Sequence, residues 1–271
     1  GGRHLVLVAR TTEVAKIAPQ LARWQALGAS VLLRSCDVAQ QPRVMALFDE
    51  IDRTLPPLDG VFHCAGSLRD GLLGAQTWDD FQAPLAAKTQ GAWWLHQATQ
   101  ARPLSWFVLF SSAATVFGSP GQGNYAAANA FLDQLATQRR ANGLCGLSIN
   151  WGPWKGDGMA HATGRAANFQ RAPGVGLLAP QEALEAMLAL AGTAHANPTV
   201  IDIDWTQIHA AVSQRAQHSL LSGLVRRPAD STRYLADLAA LRSECDQLAA
   251  PQRRACIEQF VLKMARDIMA M

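Results

Sequence analysis

The sequence predicts an α/β fold in which helices cover both faces of a doubly wound parallel sheet. Short apolar runs alternate with longer stretches of helical periodicity over roughly residues 1–210. Hydrophobic residues make up 49% of the chain and charged residues 17%, which suits a buried core rather than disorder. Alternating strands and helices are typical of parallel sheets with helices on both faces.

The first three predicted strands come in the first 64 residues, and helical stretches separate them. Leu5–Ala9 is an apolar run, and the helical stretch Glu13–Leu27 ends at Gly28, just before the second run, Ser30–Leu33. The third run, Val61–Cys64, follows a predicted helix, Gln41–Thr54, and a turn that contains two prolines.

The same alternation continues through the next 140 residues. The remaining predicted helices are Trp78–Leu85, Thr89–Gln100, Asn124–Asn142 and Pro180–Leu190, and the remaining predicted strands are Trp106–Phe110, Gly146–Asn150 and Thr199–Ile203. The complete pattern predicts a Rossmann-like sheet.

The composition changes after about Leu224. Residues 226–233 are polar with one proline, and they predict a linker. Two amphipathic patterns follow, over Tyr234–Leu248 and Ala255–Met269. The predicted organisation is therefore a domain over residues 1–224, a linker over 225–233 and a helical extension over 234–271.

Charge and cysteine content argue against several classes of protein. The net charge is +3, and no basic stripe alternates with aromatic residues, so we predict no nucleic-acid partner. No apolar run approaches the roughly 20 residues of a membrane span, so we predict no membrane partner. The five cysteines lie apart without C-x-x-C spacing, which is typical of a reducing, cytoplasmic location and argues against structural zinc.

The segment Phe110–Asp133 contains the most informative group of polar residues. Tyr125 is one of two tyrosines in the chain, and Asn129 follows four residues later on the same face of the predicted helix. Ser112 lies just beyond a predicted strand, where loops of α/β proteins often carry chemistry. By themselves these residues also fit ordinary helix-face positions and a turn, with Ser111 as a buried turn hydroxyl.

Several stretches together resemble the ketoreductase domains of modular type I polyketide synthases, in the short-chain dehydrogenase/reductase superfamily. They are FSSAATVFGSPGQGNYAAANAFLD (110–133), RHLVLVAR (3–10), LDGVFHCAG (58–66), AAKTQGAWWLH (86–96) and LSINWGPW (147–154). The resemblance implies NADPH-dependent reduction of a β-ketoacyl thioester, held on an acyl carrier protein, to a β-hydroxyacyl thioester.

The resemblance also implies a catalytic role for each of four residues. Tyr125 would donate the proton, Ser112 would bind the substrate carbonyl, and Asn129 would complete a proton relay through water. Lys88, the only lysine between Lys16 and Lys155, would contact the cofactor ribose and the Tyr125 hydroxyl. A cation within about 4–6 Å lowers a phenol's pKa by ~1–3, so we expect a lowered pKa for Tyr125. Without the resemblance, Lys88 fits a solvated lysine at a helix start.

Cofactor contacts are implied at the ends of four predicted strands. Arg10 occupies the position where a guanidinium would bind a 2′-phosphate, which favours NADPH. Asp37 and Val38 resemble the pair that contacts adenine in this family, although Asp37 also fits a helix cap. The implied contacts that remain are Ala65 and Gly66 at the adenosine ribose, and Gly152 and Pro153 at the nicotinamide carboxamide.

Two positions bear on the configuration of the product. Family members that form a D-configured alcohol often carry L-D-D after the H-x-A-G strand, and this chain has Leu68–Arg69–Asp70. The opposite class typically has tryptophan eight residues before the tyrosine, where this chain has Phe117. A D-hydroxy product is therefore expected. Asp70 also fits a loop aspartate bonded to its own backbone.

The chain departs from the family at its start, where we find no G-x-G-x-x-G turn for a pyrophosphate. We expect the sequence to begin at the family's second strand, with the first βα unit missing and two strand edges unpaired. Residues 234–271 resemble the start of an acyl carrier protein without its phosphopantetheine serine. Other domains of a polyketide synthase, including the missing part of the reductase, are the expected partners. The alternative is a catalytically silent structural or docking segment of a megasynthase.

Overall fold

The computed structural model describes residues 3–11, 14–156, 174–205, 207, 228–248, 252–253, 256–257 and 259–260. The chain forms two compact units, Gly1–Asp202 and Ile203–Met271. The last strand of the first unit's sheet, Thr199–Val200, comes directly before the division, and the predicted boundary at residue 224 lies outside the described residues.

The first unit alternates strands and helices as predicted. Its strands are β1 (His4–Ala9), β2 (Ser30–Ser35), β3 (Gly60–His63), β4 (Trp106–Ser112), β5 (Leu147–Trp151) and β6 (Thr199–Val200). Its α-helices in the described ranges are α1 (Val14–Ala26), α2 (Gln41–Thr54), α3 (Trp78–Leu85), α4 (Gly91–Thr99), α5 (Ala114–Phe117), α6 (Gly123–Ala141) and α7 (Pro180–Ala191). A 3₁₀ turn over Leu73–Ala75 precedes α3, and a π-helical turn over Ala86–Gln90 joins α3 to α4.

All the strand pairs are parallel, which confirms the predicted fold class. β1 pairs with β2 from His4–Ser30 to Ala9–Ser35, and β3, β4, β5 and β6 form a second sheet in that order. In that sheet Ser112 of β4 lies opposite Trp151 of β5. Within the described ranges, β1 pairs only with β2 and β3 pairs only with β4, so one edge of β1 and one edge of β3 are unpaired.

Apolar side chains cover β4 on both of its faces, as a parallel sheet requires. Phe107 and Leu109 pack with buried residues of α2, α4 and α6 in one cluster. Val108 points to the opposite face and packs in a second cluster that includes Ile149 of β5 and Met187 of α7. Successive side chains of a strand alternate between faces, so this one strand joins both cores.

Helix boundaries follow local sequence signals. In α2, Pro42 occupies the first turn, and the buried residues Val44, Leu47, Phe48 and Ile51 recur at helical spacing. Thr77 caps α3 through a reciprocal capping box with Asp80.

The second unit contains α8 (Pro228–Gln247). Residues 228–233 of the predicted linker are therefore helical. Proline suits a helix start, because a backbone N–H at that position would have no acceptor within the helix. Residues 225–227 lie outside the described ranges. Of the predicted helix Ala255–Met269, residues 256–257 and 259–260 are described and are helical. No helix in the described ranges is long and apolar enough to cross a membrane.

Candidate active site

The candidate site begins at the carboxyl end of β4. Ser112 is half-buried, and its Oγ accepts a hydrogen bond from the backbone N–H of Ala114 at 3.2 Å. Ser111 is buried, and its hydroxyl donates to the carbonyl of Asn129 at 3.3 Å. The two serines therefore differ in role. The Ser111 hydroxyl connects β4 to α6 by a hydrogen bond, and the Ser112 hydroxyl faces the candidate site.

Lys88 reaches this strand end from the π-helical turn. Such turns are rare and often mark functional sites, because they re-aim a side chain within a helix. Lys88 is 2% exposed, and its Nζ donates to the carbonyl of Phe110 at 2.7 Å. Nζ also lies 5.5 Å from the centroid of the Tyr125 ring. Burial lowers the pKa of Lys88 to about 8, against smaller opposing effects of Cys64 and Asp133.

A close helix contact supports the π-helical turn. A Cβ on Gly91 would lie 2.8 Å from Val38 Cγ2 and 3.1 Å from His63 Cε1, so only glycine allows α4 to approach this closely. His63 is buried at the end of β3. Burial, and then the charge of Lys88, lower the pKa of His63 to about 4, so its ring is neutral at neutral pH.

Tyr125 is 7% exposed in the first turn of α6. Burial raises its pKa, hydrogen bonds with Asn129 and Ser112 oppose that rise, and the charge of Asp70 adds to it. The expectation of a lowered pKa is wrong for this structure. The cause is desolvation, because a buried phenolate would lose its hydration. Tyr125 is therefore a protonated phenol at neutral pH.

Asn129 is fully buried one helical turn after Tyr125. Its Nδ2 donates to the carbonyl of Tyr125 at 2.8 Å, which holds the amide along the helix. Its Oδ1 is buried without a donor from the described chain. A buried amide oxygen in that state can accept a hydrogen bond from a bound water or ligand.

Asp70 lies beside the tyrosine because α6 anchors its loop. Gln122 donates from Nε2 to Asp70 Oδ1 at 3.1 Å, and Asn124 donates from Nδ2 to the carbonyls of Arg69 and Asp80 at 2.7 Å each. Phe117, at the end of α5, is 38% exposed. These bonds give Asp70 a side-chain partner in the turn before α6.

Apart from Lys88 and Tyr125, the predicted cofactor residues follow strand ends, but their surroundings differ. Arg10 is exposed directly after β1. Asp37 accepts from the backbone N–H of Ala39 at 3.1 Å, as a capping aspartate does, and Val38 packs on the core. After β3, Ala65 is exposed and Gly66 is partly exposed.

Gly152 and Pro153 follow β5. A Cβ on Gly152 would lie 2.8 Å from Ile201 Cγ1, so glycine is needed there for packing, whether or not a ligand binds. The carbonyl of Pro153 accepts from Leu178 at 2.8 Å. Gly152 and Pro153 therefore lie at the carboxyl end of β5, packed against residues 178 and 201.

The chain matches one known protein family. The family model described as the KR domain matches residues 1–156, which is more than half of the chain. The chain belongs to the KR-domain family.

Relatives of this KR domain are parts of large polyketide synthases. A phenolphthiocerol synthesis polyketide synthase type I of Mycobacterium bovis is 42% identical over 84% of this chain and 11% of the relative. The pikromycin polyketide synthase component of Streptomyces venezuelae is 38% identical over 83% of this chain and 14% of the relative. The chain thus spans about a seventh or less of these relatives' length.

Solved ketoreductase structures share the fold of this KR domain. One described as an A-type ketoreductase from a modular polyketide synthase has a TM-score of 0.75 and 37% identity, over 81% of this chain and 46% of that chain. The first ketoreductase of the tylosin polyketide synthase has a TM-score of 0.68 and 38% identity, over 78% of this chain and 46% of that chain.

Sequence reasoning missed one buried carboxylate behind this site. Asp133 lies on α6, eight residues after Tyr125 and four after Asn129, so all three share one helix face. That spacing was a signal in the sequence. The partners of Asp133 are on β4, α5 and β5, and local spacing does not show them.

Proposed function

We propose that this KR domain reduces a β-ketoacyl thioester, presented by an acyl carrier protein, to a β-hydroxyacyl thioester with NADPH. The observation that carries the proposal is the convergence of Lys88, Ser112, Tyr125 and Asn129 from three segments of the chain: the π-helical turn, β4 and α6. A buried ammonium and a protonated phenol beside a serine hydroxyl form a site suited to proton donation.

The residues of the chain would share the work of carbonyl reduction. When bound, NADPH would supply the hydride that reduces the carbonyl carbon. The Tyr125 hydroxyl gives its proton to the carbonyl oxygen as that oxygen gains negative charge. The Ser112 oxygen already accepts a bond from Ala114, so its own O–H can donate to the same carbonyl oxygen and stabilise the charge.

Lys88 and Asn129 would support that proton transfer. The ammonium of Lys88 favours the phenolate that Tyr125 becomes, through its position over the ring. Asn129 Oδ1, buried without a donor, would accept from a water that returns a proton to the site. The donor and acceptor set therefore fits a cofactor and a carbonyl substrate.

The residues proposed to hold the cofactor are Arg10, Asp37, Val38, Ala65, Gly66, Lys88, Tyr125, Gly152 and Pro153. The exposed guanidinium of Arg10 supports NADPH over NADH, because a 2′-phosphate needs a cation at this strand end. The proposed product has the D configuration. Asp70, held beside Tyr125 through Gln122, supports that assignment.

A second candidate is a catalytically silent segment of a megasynthase that acts through docking to other domains. One observation favours it: the name of a relative that is 42% identical over 84% of this chain carries the word inactive. A titration with NADPH, followed by calorimetry, separates the two, because the silent segment binds no cofactor.

Turnover tests the reductase directly. NADPH oxidation is followed with a β-ketoacyl thioester surrogate, and the configuration of the alcohol is determined by chiral chromatography. Tyr125→Phe should lose at least ~100-fold in rate because general acid catalysis is removed. Tyr234→Phe, which changes the other tyrosine, is the matched control and should keep the wild-type rate. Equal rates for Tyr125→Phe and the wild type would overturn the assignment.

A further inference from the structure

A buried carboxylate lies behind the residues proposed to act in reduction. Asp133 is 9% exposed on α6, and Ser148 of β5 donates to its Oδ1 at 2.6 Å. With its amide nitrogen facing the carboxylate, Asn150 of β5 donates to Asp133 Oδ1 at 2.8 Å and Oδ2 at 3.0 Å. The same nitrogen lies 2.8 Å from Ser111 Oγ. Asp133 thus links the ends of β4 and β5 to α6.

The hydrogen-bond pattern selects the ionised form of this carboxyl group. Asn150 Nδ2 is a donor that reaches both carboxylate oxygens, and the Ser148 hydroxyl is a second donor. A protonated acid would turn one oxygen into a donor and lose part of this pattern. Burial raises the pKa of Asp133, and hydrogen bonds from Ser148, Ser111, Thr115 and Asn150 oppose that rise.

The groups that face Lys88 show why a carboxylate there matters. From the end of β3 come His63, which is neutral, and Cys64. The Cys64 residue as a whole is exposed, but desolvation raises the pKa of its thiol to about 11, so it is uncharged near pH 7. From α6 come the protonated phenol of Tyr125 and the carboxyl group of Asp133. Of the two groups that raise the pKa of Lys88, Cys64 first and Asp133 second, Asp133 is the one that the hydrogen-bond pattern holds in its ionised form.

We propose that Asp133 is a positioning residue of this site, whose carboxylate holds Asn150 beside Ser111 at the strand ends and supplies negative charge on the α6 side of Lys88. The inference rests on the proposed function for its catalytic meaning, because a protonated Lys88 is what favours the phenolate of Tyr125. Tyr125, Asn129 and Asp133 would then lie on three successive turns of α6 and form one functional face of that helix.

The decisive experiment measures the titration of Lys88 in the whole chain without cofactor. The protein is labelled with ¹³C-lysine, which gives four lysine signals, and Lys88→Met assigns the signal of Lys88. In the wild type the midpoint should lie at about pH 8. In Asp133→Asn it should fall by roughly 0.5 or more, because an attractive charge is lost while the shape is kept.

Ser148→Ala is the matched control, since it removes one hydrogen bond to Asp133 and leaves the charge in place. Its Lys88 midpoint should stay at the wild-type value. A Lys88 midpoint that is the same in Asp133→Asn and the wild type would overturn the proposal. If Asp133→Asn does not fold, the ¹³C-carboxyl signal of Asp133 in the wild type decides. An ionised carboxylate at pH 7 supports the proposal, and a protonated one overturns it.

A kinetic readout separates this inference from the proposed function. Reduction needs protonated Lys88, so turnover should fall as pH rises through the pKa of Lys88, and this basic limb should move to lower pH in Asp133→Asn. A merely structural role would lower the rate without moving the limb. If the wild type shows no turnover, the proposed function fails, and the lysine titration still tests the charge effect of Asp133.

Discussion

Replacing Lys88 with methionine should make the protein more stable at pH 7 while it removes the proposed activity. The pKa of Lys88 falls from 10.5 to about 8 on burial, so the buried ammonium is disfavoured. A pKa difference of about 2.5 corresponds to ~3 kcal/mol of unfavourable free energy at pH 7. Methionine fills a similar volume without the charge, but it cannot donate the hydrogen bond that Lys88 Nζ makes to the carbonyl of Phe110. The expected net gain is ~2 kcal/mol.

The pH dependence fixes the sign of this effect. Below about pH 8 Lys88 is protonated in both the folded and the unfolded state, and the full penalty is present. Between about pH 8 and 10.5 the unfolded chain binds the extra proton, so the free energy of unfolding attributable to Lys88 rises with pH. The difference between Lys88→Met and the wild type should therefore shrink across this window.

Urea unfolding at pH 7 and at pH 9.5 measures both effects. Lys155→Met is the matched control, because Lys155 is exposed and its replacement should change stability by less than ~0.5 kcal/mol. A Lys88→Met protein that is less stable than the wild type at pH 7 would refute the reasoning. So would a stability difference that stays constant between the two pH values.

Three further substitutions test the packing around the site by urea unfolding. Leu132→Ala should lower the free energy of unfolding by ~3–5 kcal/mol because the leucine is fully buried, whereas Leu27→Ala, at a residue 76% exposed, should cost little. Arg139→Lys should cost ~2–4 kcal/mol, because lysine cannot reproduce the three hydrogen bonds that the buried guanidinium donates, and a loss below ~1 kcal/mol would contradict this. Gly152→Ala should cost ~1–3 kcal/mol through overpacking against Ile201, and wild-type stability in that variant would show that the loop can move aside.

The predicted helices match the structure best where local chemistry sets their ends. α2 and α3 have the predicted bounds, because Pro42 marks one start and the capping box of Thr77 and Asp80 marks the other. The π-helical turn before α4 was not predicted. It coincides with contacts of Lys88 and Gly91 to residues far away in the sequence, and helical periodicity does not encode those contacts.

In the candidate site, too, local sequence signals predicted some features, whereas features set by tertiary contacts were missed. The spacing of four residues predicted that Tyr125 and Asn129 share one face of α6. The position of Ser112 at the end of β4 predicted that it lies near them. The pKa of Tyr125 was predicted in the wrong direction, because the burial of a phenol depends on tertiary packing. Arg139, near the carboxyl end of α6, looks like a solvated basic residue in the sequence, yet it is 1% exposed against Phe107.

The most direct test of the account asks whether Lys88 and Tyr125 act as one unit. With ¹³C at Cζ of tyrosine, the chain gives two tyrosine signals, and Tyr125→Phe assigns that of Tyr125. If Lys88 and Tyr125 act as one unit, the Tyr125 signal shifts with a midpoint at about pH 8, where Lys88 loses its proton, and this shift disappears in Lys88→Met. A Tyr125 signal that is flat through pH 8, or that shifts equally in both proteins, would contradict it.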